Sequence, residues 1–536
     1  MKKHYKSLEL NSVLEMLANE ATCADARELA LGLMPTDDIN EAEMLLSQTE
    51  DAFSLLARFG APSFSGLCNV NNPLQRAAAG GALNTAELLR IGETLRALRA
   101  LYEWYGHCSG VKTNLDFFFE GITVNKYLET KIFTVIIGED EISAKASEEL
   151  YEIRRKIRSN SKSVREKLDS IIHSAHYLKF LQEPIVTQRN GRYVVPVKAE
   201  CRSNVQGLVH DSSASGATVF IEPVSVVEAN NDIKMLEGRE REEIQRILFE
   251  LSAEAGSFAE SIKHSYRSAV MLNLIFAKAH LAYKMKATKP ILNDDGIIEL
   301  KKARHPLLNP KTVVPTNIYL GEKFDTLVIT GPNTGGKTVS IKTIGLLTLM
   351  TMCGMLIPAA DRSRISVFKN VLVDVGDEQS IQQNLSTFSS HMVNIISIMQ
   401  QADSHSLVLI DELGAGTDPV EGAALAVAII ENLRTKGAVI AATTHYAELK
   451  SYALETDGVV NGCCEFDVET LRPTYRLLIG VPGRSNAFAI SEHLGMEKAV
   501  VDAARGIVGS DNRSFEAVLQ KLEDTRMELE QEKEKA

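Results

Sequence analysis

The run Gly331-Pro332-Asn333-Thr334-Gly335-Gly336-Lys337-Thr338 constrains this chain more than any other part of it. It follows the β-branched run Thr326-Leu-Val-Ile-Thr330 and precedes an apolar stretch from Val339 to Met352, so the order is strand, glycine-rich loop, helix. The glycines let backbone N–H groups turn inward around phosphate oxygens, and the following helix offers its positive end to the same charge. Lys337 is placed to reach the β- and γ-phosphates of a nucleoside triphosphate, and the Thr338 hydroxyl to ligate Mg2+.

A second apolar strand, Leu407-Val-Leu-Ile410, ends in Asp411-Glu412. Many buried parallel strands finish in an acidic residue. Downstream of a phosphate loop, however, such a carboxylate falls in the crevice where an α/β sheet binds ligands. Asp411 is then expected in the Mg2+ shell and Glu412 as the base that polarises the attacking water. A third strand, Ala438-Val-Ile-Ala-Ala442, ends in Thr443-Thr-His445, and there His445 reads as a γ-phosphate sensor rather than an ordinary satisfied polar group.

At 536 residues the chain is too long for one core. Its net charge of −12 argues against whole-surface attraction to nucleic acid but leaves room for a local basic patch. Seven scattered cysteines, with no C-x-x-C, suggest a reduced, cytoplasmic protein, and the neighbours Cys463 and Cys464 read as packing. The N-terminus has no apolar signal core, and the most apolar stretch, 344–360, is interrupted by Thr348, Thr351 and Gly354, so no membrane insertion is expected.

Upstream of the loop the pattern is helical from Leu8 to about Tyr105, with no catalytic constellation. Coiled-coil spacing runs from about Ile142 to Tyr177, through Leu150, Ile153, Ile157, Val164, Leu168 and Ile171. Arg154, Arg155, Arg158, Lys162 and Arg165 lie outside that stripe, where they serve either as a solvated face or as phosphate contacts. β-branched runs separated by turns fill 183–223, and a second long helix is expected over about 224–262. Helix out, β tip and helix back describe a protruding arm.

These motifs in order, with Asn384-Leu-Ser386-Thr387-Phe388 upstream of Asp411, resemble the ABC ATPase of the MutS family. Ala303-Arg-His305-Pro306-Leu precedes the domain as in that family. Gly414-Ala-Gly-Thr417-Asp418-Pro419-Val-Glu421-Gly and the arm segment His210 to Pro223 are similar to its second bacterial branch. The resemblance implies ATP and Mg2+ as cofactors, His305 among the nucleotide contacts, and a homodimer in which Ser386, Thr387 and Asp418 complete the partner's site. It further implies a clamp acting on branched or recombining DNA, or on collided ribosomes through their rRNA. Members usually continue into a small Smr nuclease domain, and no residue here is expected to carry that activity.

The expected fold is a multidomain α plus α/β chain. A helical core spans 1–141, and a coiled-coil arm spans 142–262 with its β element at 183–223. A helical return follows over 263–290, an ABC-type ATPase domain over 291–480, and a C-terminal helical dimerisation segment with the start of a charged helix over 481–536. Two functions compete: an ATP-hydrolysing clamp, and an ATP-dependent dimeric scaffold with negligible hydrolysis. A transporter motor is disfavoured, because the signature is Ser-Thr-Phe and a large helical body is present.

Overall fold

The computed structural model describes residues 3–507 apart from 109, 332–335, 377–386, 468–471 and 484–486. Two compact units emerge, neither of them continuous in sequence. One gathers Met1–Pro62, His107–Phe119 and the chain from Val270 onward, and the other Ser63–Gly106 with Glu120–Ala269.

The first unit is built on a six-stranded sheet. Its order is Asn370–Asp374, Ser406–Ile410, Val439–Thr443, Thr326–Thr330, Val459–Asp467, Arg472–Ile479, parallel throughout except for the last strand. Every residue of the three strands 326–330, 406–410 and 439–443 is buried, which is why each reads as a continuous apolar run rather than an alternation. The register pairs Ile329 with Thr443, Ile410 with Ala442, and Asp374 with Ile410, so four parallel strands end side by side.

The helix Lys337–Met352 is buried along nearly its whole length. Gly345 lets it approach closely: a Cβ there would stand 2.6 Å from the side chains of both Leu409 and Leu8. Its interior hydroxyls bond back to carbonyls one turn earlier, Thr348 to Ile344 and Thr351 to Leu347, both at 2.8 Å. A strongly apolar stretch is thereby accounted for as core, and among the described residues no helix is long and apolar enough to cross a membrane. Leu8, Leu10, Val13, Leu14 and Leu17 of the N-terminal segment are wholly buried, and the His4 ring accepts from Val373 N at 3.1 Å. A smaller four-stranded sheet, ordered Ile291–Asn293, Arg364–Ser366, Ile298–Ala303, Thr316–Leu320, belongs to the same unit.

In the second unit the helices Glu148–Ile172 and Val224–Ser257 lie side by side. Their direction is antiparallel, because Ser147 meets Glu243 at 2.6 Å, Arg154 meets Glu240 at 2.7 Å and Lys167 meets Ser225 at 3.5 Å. A four-stranded antiparallel sheet, ordered Thr187–Arg189, Arg192–Lys198, Thr218–Pro223, Gly207–Ser212, packs Val195, Val197 and Ile221 against Val164 and Leu168. The fully buried Glu222 is satisfied by Arg192 at 2.9 Å, Asn230 at 2.7 Å and the His210 ring.

Two helix bounds differ from expectation. The first begins at Glu148 because the Ser147 hydroxyl accepts from Leu150 N at 3.0 Å, and Ile136–Gly138 with Glu141–Ile142 forms a hairpin ahead of it; it ends at Ile172. The second stops at Ser257, and a separate helix Ala259–Met285 follows. Gly256 sits just before that break, where a Cβ would come within 2.7 Å of the backbone of Ala77. At the C-terminal side, the helices Ala487–His493 and Lys498–Ile507 are described, and 508–536 lie outside the described residues.

Candidate functional site

The aligned strand ends bring the sequence-predicted polar residues together. Lys337, the first residue of its helix, is 1 % exposed, and its Nζ donates to Gly331 O at 2.6 Å. The same nitrogen stands 3.2 Å from each ring nitrogen of His445. Burial pushes its ammonium down to about 8, partly offset by the nearby charges of Asp411 and Glu412. Gly331 at φ 125 and Gly336 at φ 96 hold backbone conformations that a side chain would strain, which is the local reason for glycine at these two loop positions.

One residue further on, Thr338 Oγ1 donates to Asp411 Oδ2 at 2.7 Å, and the Thr443 hydroxyl donates to the other carboxylate oxygen. A hydroxyl and a carboxylate held together are hard oxygen donors, suited to Mg2+ and unsuited to softer metals. Among the described residues no group of three or more His, Cys, Asp or Glu stands ready to hold a metal by itself.

Glu412 adopts φ 51, the left-handed region that a glutamate occupies only under constraint. The constraint is visible: Glu412 N donates to Thr443 Oγ1 at 2.8 Å, and Leu413 N to Thr443 O at 2.9 Å. The turn directs the half-exposed Glu412 carboxylate to 3.9 Å from the His445 ring. Burial, and then the Lys337 charge, hold His445 below the usual imidazole range, so the ring is neutral near pH 7.

Beside the loop lies a cavity of about 470 Å3, within the range of small-molecule sites. His305, Asn309, Gly336, Val339 and Tyr475 are among its lining residues. His305 is 6 % exposed, and neither of its ring nitrogens has a hydrogen-bond partner among the described residues. Burial holds it below the usual range. Tyr475, half-exposed and at φ 61, comes within 3.2 Å of where a Cβ on Gly336 would stand. Sequence reasoning missed Tyr475, since a single aromatic far downstream of the loop has no spacing to mark it.

It missed a second group as well. The buried Asp374 carboxylate is held by His391 Nδ1 and Asn394 Nδ2, each at 2.8 Å, while Asp374 O accepts from Asp411 N at 2.8 Å. His391 and Asn394 sit on the helix Thr387–Gln401, so the helix that opens at Thr387 is tied to the strand beside Asp411. Pro332, Asn333, Thr334, Gly335 and Ser386 lie outside the described residues. Asp418 caps the helix Pro419–Thr435, its Oδ1 accepting from Val420 N at 3.0 Å and Glu421 N at 3.2 Å.

The five basic candidates divide. Arg154 is engaged with Glu240 and with Ile142 O, both at 2.7 Å, and Arg155 with Glu152 at 2.7 Å. Lys162 lies 3.9 Å from Glu166, both largely exposed, a pair too loose to order the amine. Arg158 and Arg165 have no ion-pair partner among the described residues.

With this geometry in place, the likeness to known proteins can be set beside it. Residues 327–510 match MutS domain V. A protein of Acetivibrio thermocellus named Endonuclease MutS2 is 50% identical over 535 residues, 99% of this chain and 67% of that protein. Namesakes in Ruminiclostridium cellulolyticum and Clostridium perfringens are 49% and 48% identical, with 98% of this chain covered in each case and 67% and 66% of theirs. The chain thus spans about two thirds of the length of these relatives.

Proposed function

This chain belongs to the MutS family, and from that premise we propose that it is an ATP-hydrolysing homodimeric clamp acting on structured nucleic acid, branched DNA or the RNA of collided ribosomes. The observation that carries the ATPase reading is the convergence of Lys337, Thr338, Asp411, Glu412 and His445 on neighbouring strand ends, each within 3.9 Å of another member of the set.

Lys337 binds the β- and γ-phosphate charge, and its helix N-terminus adds backbone donors. Thr338 and Asp411 are the residues to hold Mg2+, which when bound neutralises the charge on the transferring phosphate. Thr443 keeps Asp411 oriented through one carboxylate oxygen and fixes the backbone of Glu412 through its own acceptor oxygen. Glu412 orients the attacking water and takes its proton. The neutral His445 ring, next to both Lys337 and Glu412, contacts the γ-phosphate and distinguishes triphosphate from diphosphate.

Tyr475 and His305 complete the nucleotide site by holding the base, the tyrosine by its face and the histidine by ring nitrogens that have no hydrogen-bond partner among the described residues. Changing either to alanine should raise the Kd for ATP by about tenfold, the size of one lost stacking or buried hydrogen-bond contact. Affinity for inorganic tripolyphosphate should stay unchanged. Equal losses for both ligands in a calorimetric titration would remove the base-pocket assignment.

The buried lysine makes a further prediction. Because its ammonium is pushed down to about 8, Lys337 is largely neutral above that pH, and incoming phosphates restore its charge. ATP binding at about pH 8.5 should therefore take up a proton, and the uptake should vanish near pH 7 where the amine is already charged. Calorimetry in buffers of different ionisation enthalpy reads this directly. Uptake that persists in Lys337→Met would assign the proton elsewhere.

In the dimer, Ser386 and Thr387 of one subunit, with Asp418 close to the interface, complete the partner's nucleotide site. Each ATP then bridges two chains, so binding closes the dimer and hydrolysis releases it, the γ-phosphate supplying the differential contact a switch requires.

A further inference from the structure

The phosphate-loop helix Lys337–Met352 is gripped at its far end by bonds from three different segments. Thr36 N donates to Met352 O at 3.0 Å, Lys278 Nζ to Cys353 O at 2.8 Å, and Thr49 Oγ1 to Gly354 O at 2.7 Å. These are successive carbonyls at a helix C-terminus, where the helix itself supplies no donors. Gly354, at φ 69, closes that end so tightly that a Cβ there would stand 2.4 Å from the Leu45 side chain. Along the helix, by contrast, the hydroxyls of Ser340, Thr343, Thr348 and Thr351 bond back to carbonyls one turn earlier, and the apolar faces around them give no directional hold.

Of the three donors, stability alone would not select Lys278. It lies on the helix Ala259–Met285, is 3 % exposed, and has no carboxylate partner among the described residues. Cys353 does not supply the missing charge, because burial pushes its thiol up to about 12. Burial likewise pushes the Lys278 ammonium down to about 8. An apolar side chain of similar length would cost the fold less than a buried amine that satisfies one carbonyl. What the amine adds is a directional bond at the end of a stiff rod about 24 Å long. The other end of that rod carries Lys337 and Thr338, which meet His445 at 3.2 Å and Asp411 at 2.7 Å on two other strands. A shift along the axis at the carbonyl end is an equal shift at the phosphate end. We propose that this anchor sets where the helix presents Lys337 and Thr338 to Asp411, Glu412 and His445, and that Lys278 is thereby a positioning residue for ATP hydrolysis. The assignment rests on the ATPase reading above and adds to it a residue that touches neither nucleotide nor metal.

Lys278→Met keeps the length of the side chain and removes the donor. In the full chain with ATP and Mg2+ it should lower kcat about tenfold, because a misplacement of about 1 Å in a catalytic array can cost a hundredfold. KM for ATP and the Kd for ADP should stay within about twofold, the pattern of a contact felt only in the transition state. Melting temperature should not fall, since the buried charge is gone. Thr49→Val removes a second of the three bonds without touching a charge, and should lower kcat about threefold with the same unchanged ADP affinity. A wild-type kcat in Lys278→Met, or in Thr49→Val where the first variant does not fold, overturns the positioning role and leaves the ATPase reading intact. A lower kcat accompanied by equal losses of ADP affinity and melting temperature overturns it as well, in favour of a lysine that only holds the fold. A wild-type protein that binds ATP and releases no phosphate overturns the ATPase reading itself.

Discussion

Glu412→Gln is expected to leave ATP binding intact and to lower steady-state phosphate release by two to four orders of magnitude, the range that a positioned general base contributes. The substitution keeps the shape of the side chain and removes only its capacity to take a proton. The backbone of this residue is fixed at φ 51 by bonds from its own N and from Leu413 N to the two oxygens of Thr443, neither of which involves the carboxylate. The geometry should therefore survive, and ATP should be trapped in a closed dimer that does not reopen. Equilibrium nucleotide binding, single-turnover hydrolysis and light scattering measure the three parts separately. Full turnover in the variant would assign the base elsewhere. A wild-type protein that binds ATP and releases no phosphate would favour an ATP-dependent scaffold over an enzyme.

The second large effect concerns shared sites. In the proposed dimer, Lys337→Ala removes the amine expected to bind phosphate in a chain's own site, and Ser386→Ala removes the residue proposed to complete the partner's site. Each variant alone should be nearly inactive. Mixed in equal amounts, half of the dimers are hybrids, and in each hybrid one site combines an intact Lys337 with an intact Ser386. Random pairing then restores about a quarter of wild-type activity from two dead proteins. Sites complete within one chain would give no recovery at all, and a Ser386→Ala homodimer of normal activity would remove the serine from the mechanism.

How much of this was legible in the sequence follows from how each residue is specified. Lys337 and Thr338 were legible because fixed spacing in a single loop defines them. Asp411 and His445 required only the recognition that apolar runs without alternation are strands buried on both faces, whose ends must share an edge. Tyr475 and Asp374 were not legible. The first lines the cavity beside the phosphate loop at one unusual backbone angle, and the second matters through partners on another helix, so neither leaves a local pattern.

The basic helix shows the same limit from the other side. Sequence singled out five of its seven cations, but only tertiary contacts separate Arg154, fixed by Glu240, from Arg158, which has no ion-pair partner among the described residues. Both arm helices departed from their expected bounds: the Ser147 cap starts the first at Glu148 rather than near Ile142, and the second breaks at Phe258, where Gly256 comes close to Ala77. The two interleaved units lay beyond reach, because no composition change marks where the chain leaves one and enters the other.

That interleaving sets a timetable for biosynthesis. The His4 ring bonds a backbone 369 positions away, so at roughly 5–20 residues per second it waits some tens of seconds for its partner to emerge. Through that interval Leu8, wholly buried in the finished fold, lacks the helix Lys337–Met352 against which it packs at Gly345. A nascent chain of this design leaves that surface uncovered until residue 370 has emerged, and slowing elongation upstream of that point should increase aggregation of the newborn protein while leaving its finished stability unchanged.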